Sequence, residues 1–376
     1  MTKRIDSLDL VRGLVMVLMA IDHVRCYAGQ PAGGPTADIF FTRWVTHFCA
    51  PVFVFLAGTG AFLHGRALGD MSKLSRYLVT RGLLLMLLEL TVVRFSWTFN
   101  VNYRQFTLFG VIWMLGCCMV LLAALVRLSP KTLGIIGVLI IVLQQAFAAL
   151  RFVVPQSVAG SFGWLIEFVY PIGLETPGGV NILYTIVPWI GVMAAGYGFG
   201  AVVVRAPVER HRFYRRVGFA ATALFLVFVG VALAFMPTEE GTPKIFLALN
   251  PPKYPASQPF LLMTLGPTIA MLPMFERVSG WFARVFTTFG RVPMFYYLLH
   301  IPAIHLAAIL TTLARGEGVH PEWYATAPYT SVPEDHMWSL PVLYLVFVLV
   351  VAVLYVPCRW YAGVKTRSPQ RWMRYL

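Results

Sequence analysis

The stretch 339-SLPVLYLVFVLVVAVLYVPC-358 runs for twenty residues without a charged side chain. A helix of that length rises about 30 Å, the thickness of the hydrocarbon core of a bilayer. Comparable runs recur along the 376 residues, near 8–27, 39–64, 82–99, 107–126, 132–152, 183–204, 217–236, 259–275 and 286–313. In lipid every backbone N–H and C=O needs an internal partner, so only helices and closed barrels can span it. These runs are continuously apolar and do not alternate, which excludes a β-barrel. The expected fold is an all-α polytopic membrane protein, a single domain over residues 1–376 built as a bundle of about ten transmembrane helices.

Charge sets the expected orientation. Only 12% of residues are charged, against roughly 25% in soluble domains. The net charge of +14 is not spread as a nucleic-acid surface would be. It gathers in alternate loops: Arg66, Lys73, Arg76 and Arg81; Arg127 and Lys131; 205-RAPVERHRFYRR-216; Arg277 and Arg284; and the tail 359-RWYAGVKTRSPQRWMRYL-376. The opposite loops carry Asp38, Glu167, Glu175, Glu239, Glu240, Glu317, Glu322, Glu334 and Asp335. By the positive-inside rule both termini are cytoplasmic, and a bacterial inner (plasma) membrane is the expected location. The basic loops suit anionic membrane lipids, and no nucleic-acid partner is expected.

Five cysteines, Cys26, Cys49, Cys117, Cys118 and Cys358, lie in or beside apolar runs and form no disulfide or zinc pattern. The first run is expected to remain as a span rather than be cleaved as a signal, because Asp9 and Arg12 interrupt its start. The stretch 160–173, with Trp164, Phe168 and Tyr170, reads as a short re-entrant or interfacial helix. No internal repeat is visible, which weakens an inverted-repeat transporter architecture.

Ionisable side chains inside spans are costly and mark candidate sites. In the first span Arg12 and His23 are eleven residues apart, three turns plus about 20°, so they share a face with ~16 Å of axial rise between them. Met16 and Met19 lie between them, and Asp22 precedes the histidine. Such a groove suits an elongated anion held by arginine with its reactive end at histidine. The competing reading has Arg12 snorkelling to lipid phosphates and His23 bonding a neighbouring helix. In 43-RWVTHFCAP-51, Arg43 and His47 also share a face, and Asp38 just before them is placed to orient a histidine. Glu89 and Arg94 read as a structural intramembrane pair. In 289-FGRVPMFYYLLHIPAIH-305, Arg291 and His300 repeat the layout of the first span, so the two helices can frame one channel. His305 reads as structural or interfacial, and no metal-ligand pattern, Walker loop or nucleophile elbow is present.

The stretch 4-RIDSLDLVRGLVMVLMAIDH-23 resembles the opening of the heparan-alpha-glucosaminide N-acetyltransferase family and its bacterial relatives (the DUF1624 group). The Arg12-to-His23 spacing is similar to that of the more distant acyltransferase-3 family. Further matching stretches are 38-DIFFTRWVTHFCAPVFVFLAG-58, 187-VPWIGVMAAGYGFG-200, 253-KYPASQPFLLMTLGP-267 and 289-FGRVPMFYYLLHIPAIH-305.

The resemblance implies transfer of an acyl group, commonly acetyl from cytosolic acetyl-CoA, to a sugar or glycan across the membrane, with a core histidine as general base or acyl carrier. The chain departs from the lysosomal enzyme in one respect. That enzyme carries its histidine after the first span and asparagine where His23 stands, whereas residues 28–37 here contain no histidine.

The candidate catalytic residues are therefore His23, Asp22, His47 and Asp38, and the candidate acyl-CoA contacts are Arg12, Arg81, Arg291 and His300. Acyl-CoA, a sugar or glycan acceptor, membrane lipids and a second copy in a homodimer are the partners considered. A permease using the same buried groups, and a non-catalytic envelope component, are the alternative functions.

Overall fold

The computed structural model describes residues 6–153, 163–237 and 241–367, and the described structure is dominated by helices. Helix α1, Asp6–Tyr27, carries Asp6 and Asp9 in its first turn and Arg25 in its last, each favourable to the helix dipole. Helices α2 (Ala37–Trp44) and α3 (Cys49–Leu68) are joined by one 3-10 turn, Val45–Phe48. Gly69, with φ of 63°, ends α3 in the left-handed conformation that glycine adopts without steric cost. Asp70 then starts α4 (Met71–Leu88) by accepting the backbone N–H groups of Ser72 at 2.8 Å and Lys73 at 3.1 Å. A π-helical turn over Glu89–Val93 leads into the short α5, Arg94–Thr98.

The strand β1 (Thr107–Phe109) pairs in parallel with β2 (Val180–Ile182), Thr107 opposite Val180. Between them run α6 (Val111–Leu125), α7 (Pro130–Leu143) and the one-turn α8 (Leu150–Val153). After β2 come α9 (Trp189–Val203), α10 (Pro207–Phe235), the one-turn α11 (Lys244–Ala248) and α12 (Gln258–Phe275). The chain closes with α13 (Gly280–Arg291), α14 (Pro293–Ala314) and α15 (Leu340–Arg367).

Among the described residues, 6 helices are long and apolar enough to cross a membrane: Ala37–Leu68, Pro130–Val153, Pro207–Phe235, Gln258–Phe275, Pro293–Ala314 and Leu340–Arg367. Four of the ten expected spans fall short of that description while remaining helical. The first carries Asp9, Arg12, Asp22 and Arg25, the third is α4 with its π turn and α5, and α6 and α9 have 15 residues each. The expected span 286–313 is two helices broken at Val292, because Pro293 lacks an N–H and keeps the preceding residue out of the helical region. The expected span 107–126 begins as a strand. Of the expected interfacial helix at 160–173, Gly163–Phe168 forms a 3-10 segment, and residues 160–162 lie outside the described residues. Glu239, Glu240 and the tail beyond residue 367 also lie outside them.

Glycine contacts fix how the site helices cross. A Cβ on Gly13 of α1 would sit 1.8 Å from the Phe286 carbonyl oxygen of α13, and one on Gly290 would sit 1.8 Å from the Asp9 oxygen. The two backbones therefore touch, as small-residue crossings in lipid allow. Gly58 of α3 and Gly196 of α9 make the same kind of contact. These crossings hold α1, α3, α9 and α13 at fixed spacing, and the candidate site lies on α1 and its neighbours.

Candidate active site

Two neighbouring cavities along α1 hold candidate residues. The first has a volume of about 520 Å³ and is lined by Asp22, His23, Arg25 and Cys26 from α1, with Arg43, Lys253 and Tyr297 among its other polar residues. The second, about 230 Å³, is lined by Arg12, Arg81, Arg291, Lys365, His64 and Tyr77. Phe53 of α3 lines both, so one aromatic ring stands between a chamber containing histidine and a chamber rich in arginine.

In the histidine cavity, Asp22 is the hub of an ion network. Its two carboxylate oxygens accept from Arg25 at 3.0 Å and from Arg43 at 2.9 Å, and these side chains are largely buried. Arg25 also donates to the Gln30 carbonyl at 2.5 Å, and Arg43 to the Thr46 hydroxyl at 3.2 Å. Removing charges from water is expensive unless each is paired and fully hydrogen-bonded, and this network meets that condition for Asp22. Lys253 adds a third cation, with its ammonium 5.2 Å from the centre of the Tyr254 ring. Three cations face two carboxyls, Asp22 and Glu89, and the Glu89 carboxyl is taken up by the N–H groups of α6, so the cavity suits a polar, electron-rich group.

His23 Nδ1 lies 2.7 Å from His300 Nε2, and the two rings meet edge to edge with planes 23° apart and centroids 4.8 Å apart. His300 is fully buried and its Nδ1 is 2.7 Å from the Tyr297 carbonyl oxygen of its own helix. The edge of Trp97 packs against His23 with centroids 4.8 Å apart. The hydrogen bond of Tyr27 to the Trp97 carbonyl at 2.6 Å ties α1 to α5. Over the cavity, the segment before α15 is tied to the end of α1. Thr330 donates to the Cys26 carbonyl at 2.7 Å, Trp338 N–H to the Ala28 carbonyl at 3.0 Å, and Gln30 to the Trp338 carbonyl at 2.6 Å.

In the arginine cavity, Arg12 pairs with Asp9 at 2.8 Å and donates to the Gly290 carbonyl at 3.3 Å. Arg81 donates to the Tyr77 hydroxyl at 2.7 Å, and Arg291 makes an exposed 3.4 Å pair with Asp6. Arginine clusters of this kind are suited to phosphate, whose oxygens accept the guanidinium fork.

Several sequence expectations are corrected. Asp22 does not orient His23, because both of its oxygens serve arginines. Asp38 does not reach a histidine. It is exposed, accepts the Thr36 hydroxyl and the Ile39 N–H, and folds back on the first turn of α2. His47 is buried outside the histidine cavity, with Nε2 donating to Asn250 Oδ1 at 2.8 Å and the ring edge-on to Phe260. His300 lines neither cavity and is bonded to His23 instead of joining the arginines.

Glu89 and Arg94 do not pair. Glu89 accepts the N–H groups of Ile112 and Trp113 at the start of α6, at 2.9 and 3.1 Å. Arg94 binds the Phe106 and Asn102 carbonyls and the Asn100 side chain, folding the polar loop 100–106 around its guanidinium. The turn between them is π-helical, with the Arg94 N–H bonded to the Glu89 carbonyl, and the two side chains turn to different partners. His305 has a structural setting, bonded to the Ser96 carbonyl at 3.2 Å and stacked on Phe99 with centroids 3.8 Å apart.

Lys253, Tyr254, Tyr297 and Trp97 were not singled out by spacing, because they come from loops or from apolar faces. Lys253 had one signal, a cation, with Lys244, in a long loop rich in proline.

A family model described as heparan-alpha-glucosaminide N-acetyltransferase, catalytic, matches residues 4–235. That region contains Arg12, Asp22, His23, Arg43, Phe53, Arg81 and Glu89. No curated protein matches the chain.

Proposed function

Since the chain belongs to the heparan-alpha-glucosaminide N-acetyltransferase catalytic family, and is thus a membrane acetyltransferase by kinship, we propose how its two cavities divide that work. Acyl-CoA enters the arginine cavity from the cytoplasm, its phosphates held by Arg12, Arg81, Arg291 and Lys365. The pantetheine arm passes Phe53, and the thioester reaches His23. The sugar or glycan acceptor occupies the histidine cavity from the far side, its polar groups held by Arg25, Arg43 and Lys253.

His23 acts as general base, the role histidine fills most often among side chains. The acceptor oxygen or nitrogen attacks the thioester carbonyl carbon as His23 removes its proton. The C–S bond breaks, and the departing CoA thiolate receives that proton from His23. Asp22 holds the two arginines in place and takes no proton.

The observation that carries this reading is the adjacency of an arginine-lined and a histidine-lined cavity that share Phe53. The test uses purified protein in proteoliposomes with acetyl-CoA on one side and amino sugars on the other. Acetyl transfer should be lost in His23→Ala by on the order of a hundredfold or more, as removal of a general base costs. Thermal stabilisation by CoA should persist in that variant, because the arginine cavity is intact. Transfer unchanged in His23→Ala would end the assignment. Solute flux without acetyl-CoA consumption would replace it with a permease.

A further inference from the structure

We propose that His300 is the positioning residue that decides which ring nitrogen of His23 is free to act as a base. This rests on the acyl-transfer reading for its chemical consequence but not for its geometry. A carbonyl oxygen can only accept a hydrogen bond. The Tyr297 carbonyl lies 2.7 Å, and the Tyr296 carbonyl 3.3 Å, from His300 Nδ1. Two carbonyl oxygens cannot face an unprotonated ring nitrogen at these distances, so Nδ1 of His300 carries hydrogen.

A neutral imidazole has one donor and one acceptor nitrogen. His300 Nε2 is therefore an acceptor, and the contact 2.7 Å away must be a donation from His23 Nδ1. The alternative is a cationic His300 donating from both nitrogens. That would place an uncompensated charge in a fully buried ring, while Asp22 in the neighbouring network already serves Arg25 and Arg43. The chain of donation thus runs from His23 Nδ1–H to His300 Nε2, and from His300 Nδ1–H to the Tyr297 carbonyl. His23 is left with its lone pair on Nε2, and that atom makes no hydrogen bond to another described residue.

The packing keeps this arrangement fixed. His300 lies between the Tyr296 ring, stacked with centroids 5.2 Å apart, and the Tyr297 ring, edge-on at 5.1 Å. Its acceptor carbonyls belong to its own helix, so the tautomer is set by local helix geometry. An acidic residue usually performs this orienting task for a catalytic histidine. Here a neutral ring does it, with its own tautomer imposed by backbone.

The test has one readout independent of activity. Protein labelled with 15N-histidine in lipid nanodiscs, with the His23 signals identified by their loss in His23→Gln, should show a protonated Nδ1 and an unprotonated Nε2 at alkaline pH. In His300→Leu the His23 signals should shift toward the Nε2–H form. In His300→Gln, whose side-chain oxygen can accept the same N–H, they should stay near those of the wild type. Acetyl transfer should follow: kcat down on the order of tenfold in His300→Leu with KM for acetyl-CoA changed less than about twofold, and mostly restored in His300→Gln.

A wild-type His23 protonated on Nε2 would overturn the proposal. So would a His300→Leu variant that loses activity with the His23 tautomer unchanged, since His300 would then be only structural. The expected tautomer in a protein that transfers no acetyl group would support the proposal and remove the acyl-transfer reading alone.

Discussion

The span Ala37–Leu68 and the span Pro207–Phe235 are both apolar helices of membrane length, yet they have opposite environments. The most apolar window of the first is 67% buried within the protein, and that of the second 17%. In α10, Leu226, Val227 and Val231 point outward; in α7, Ile135, Val138 and Val142 do the same. In water this would be an inverted protein. In lipid the hydrocarbon tails solvate leucine as well as a neighbouring helix does, so apolarity does not drive a helix to the centre. What draws a helix inward is polarity that lipid cannot satisfy. Helix α1, with Asp9, Arg12, Asp22 and Arg25, is thus too charged to count as a simple span and is the helix along which both cavities lie. The three most apolar spans, Pro130–Val153, Pro207–Phe235 and Leu340–Arg367, are the least buried, and the charged helix α1 carries the site.

The same substitution in the two regions should break the molecule in one place and spare it in the other. Gly13→Ala puts a Cβ where the Phe286 carbonyl stands 1.8 Å away, so α1 and α13 must separate along with Arg12 and Arg291. We expect a loss of about 3 kcal/mol or more, read as a fall in Tm in detergent and loss of CoA stabilisation. Gly230→Ala in α10 meets nothing within 4 Å. There alanine should be neutral or stabilise by up to about 1 kcal/mol through helix propensity. Equal effects at the two glycines would contradict the division into a packed centre and a lipid-facing rim.

The next largest effect concerns the ion network. Asp22→Asn leaves Arg25 and Arg43 facing each other around a neutral amide, which should cost about 3–5 kcal/mol, the range for breaking a buried pair. Asp22→Asn combined with Arg43→Gln should recover part of that loss, because the stranded charge goes with its partner. A double variant no more stable than Asp22→Asn alone would mean that Arg43 is anchored by groups other than Asp22. Unfolding of each variant in the same detergent, followed by tryptophan fluorescence, provides the four corners of the cycle.

The contrast between centre and rim also explains what the sequence could disclose. Helical class and the apolar runs were readable, because each depends on spacing within one segment, whereas the Arg291–His300 spacing assumed one helix and the chain makes two there. The break at Val292 was signalled by Pro293, but whether proline kinks or ends a helix is decided by what packs around it. The Asp22–Arg43 pair joins helices whose crossing no local pattern specifies. Asp38 read as placed to orient a histidine and His47 as a candidate base, and only the fold shows one exposed and the other turned to Asn250. The expected Glu89–Arg94 pair does not form, because each side chain finds backbone partners in a different segment, the start of α6 and the loop 100–106.

A smaller effect separates the two cavities. Arg81→Gln removes a guanidinium from the arginine cavity but leaves the Asp22 network and the His23–His300 pair untouched. KM for acetyl-CoA should rise on the order of tenfold with kcat nearly unchanged, the signature of lost ground-state and transition-state binding in equal measure. A fall in kcat at constant KM would instead couple Arg81 to the chemical step and weaken the separation at Phe53.

The smallest effect lies at the rim, where charge serves stability alone. Glu276, just past α12, is partly buried, which disfavours its ionised form. Arg210 and His211, bonded to it at 2.7 and 2.8 Å, outweigh that burial and hold its carboxyl below the usual value of 4.5. A depressed folded-state pKa contributes stability that is present above the unfolded value and is lost as pH falls through the folded one. Glu276→Gln should therefore cost under about 1 kcal/mol at neutral pH, in keeping with a solvent-screened pair. The difference from wild type should shrink as pH falls below the ordinary carboxylate range, and CoA binding should be unaffected throughout. If Glu276→Gln also weakened CoA binding, the groove that links Arg210 and Glu276 to Arg12 would be part of the donor site, and the rim at this point would belong to the centre.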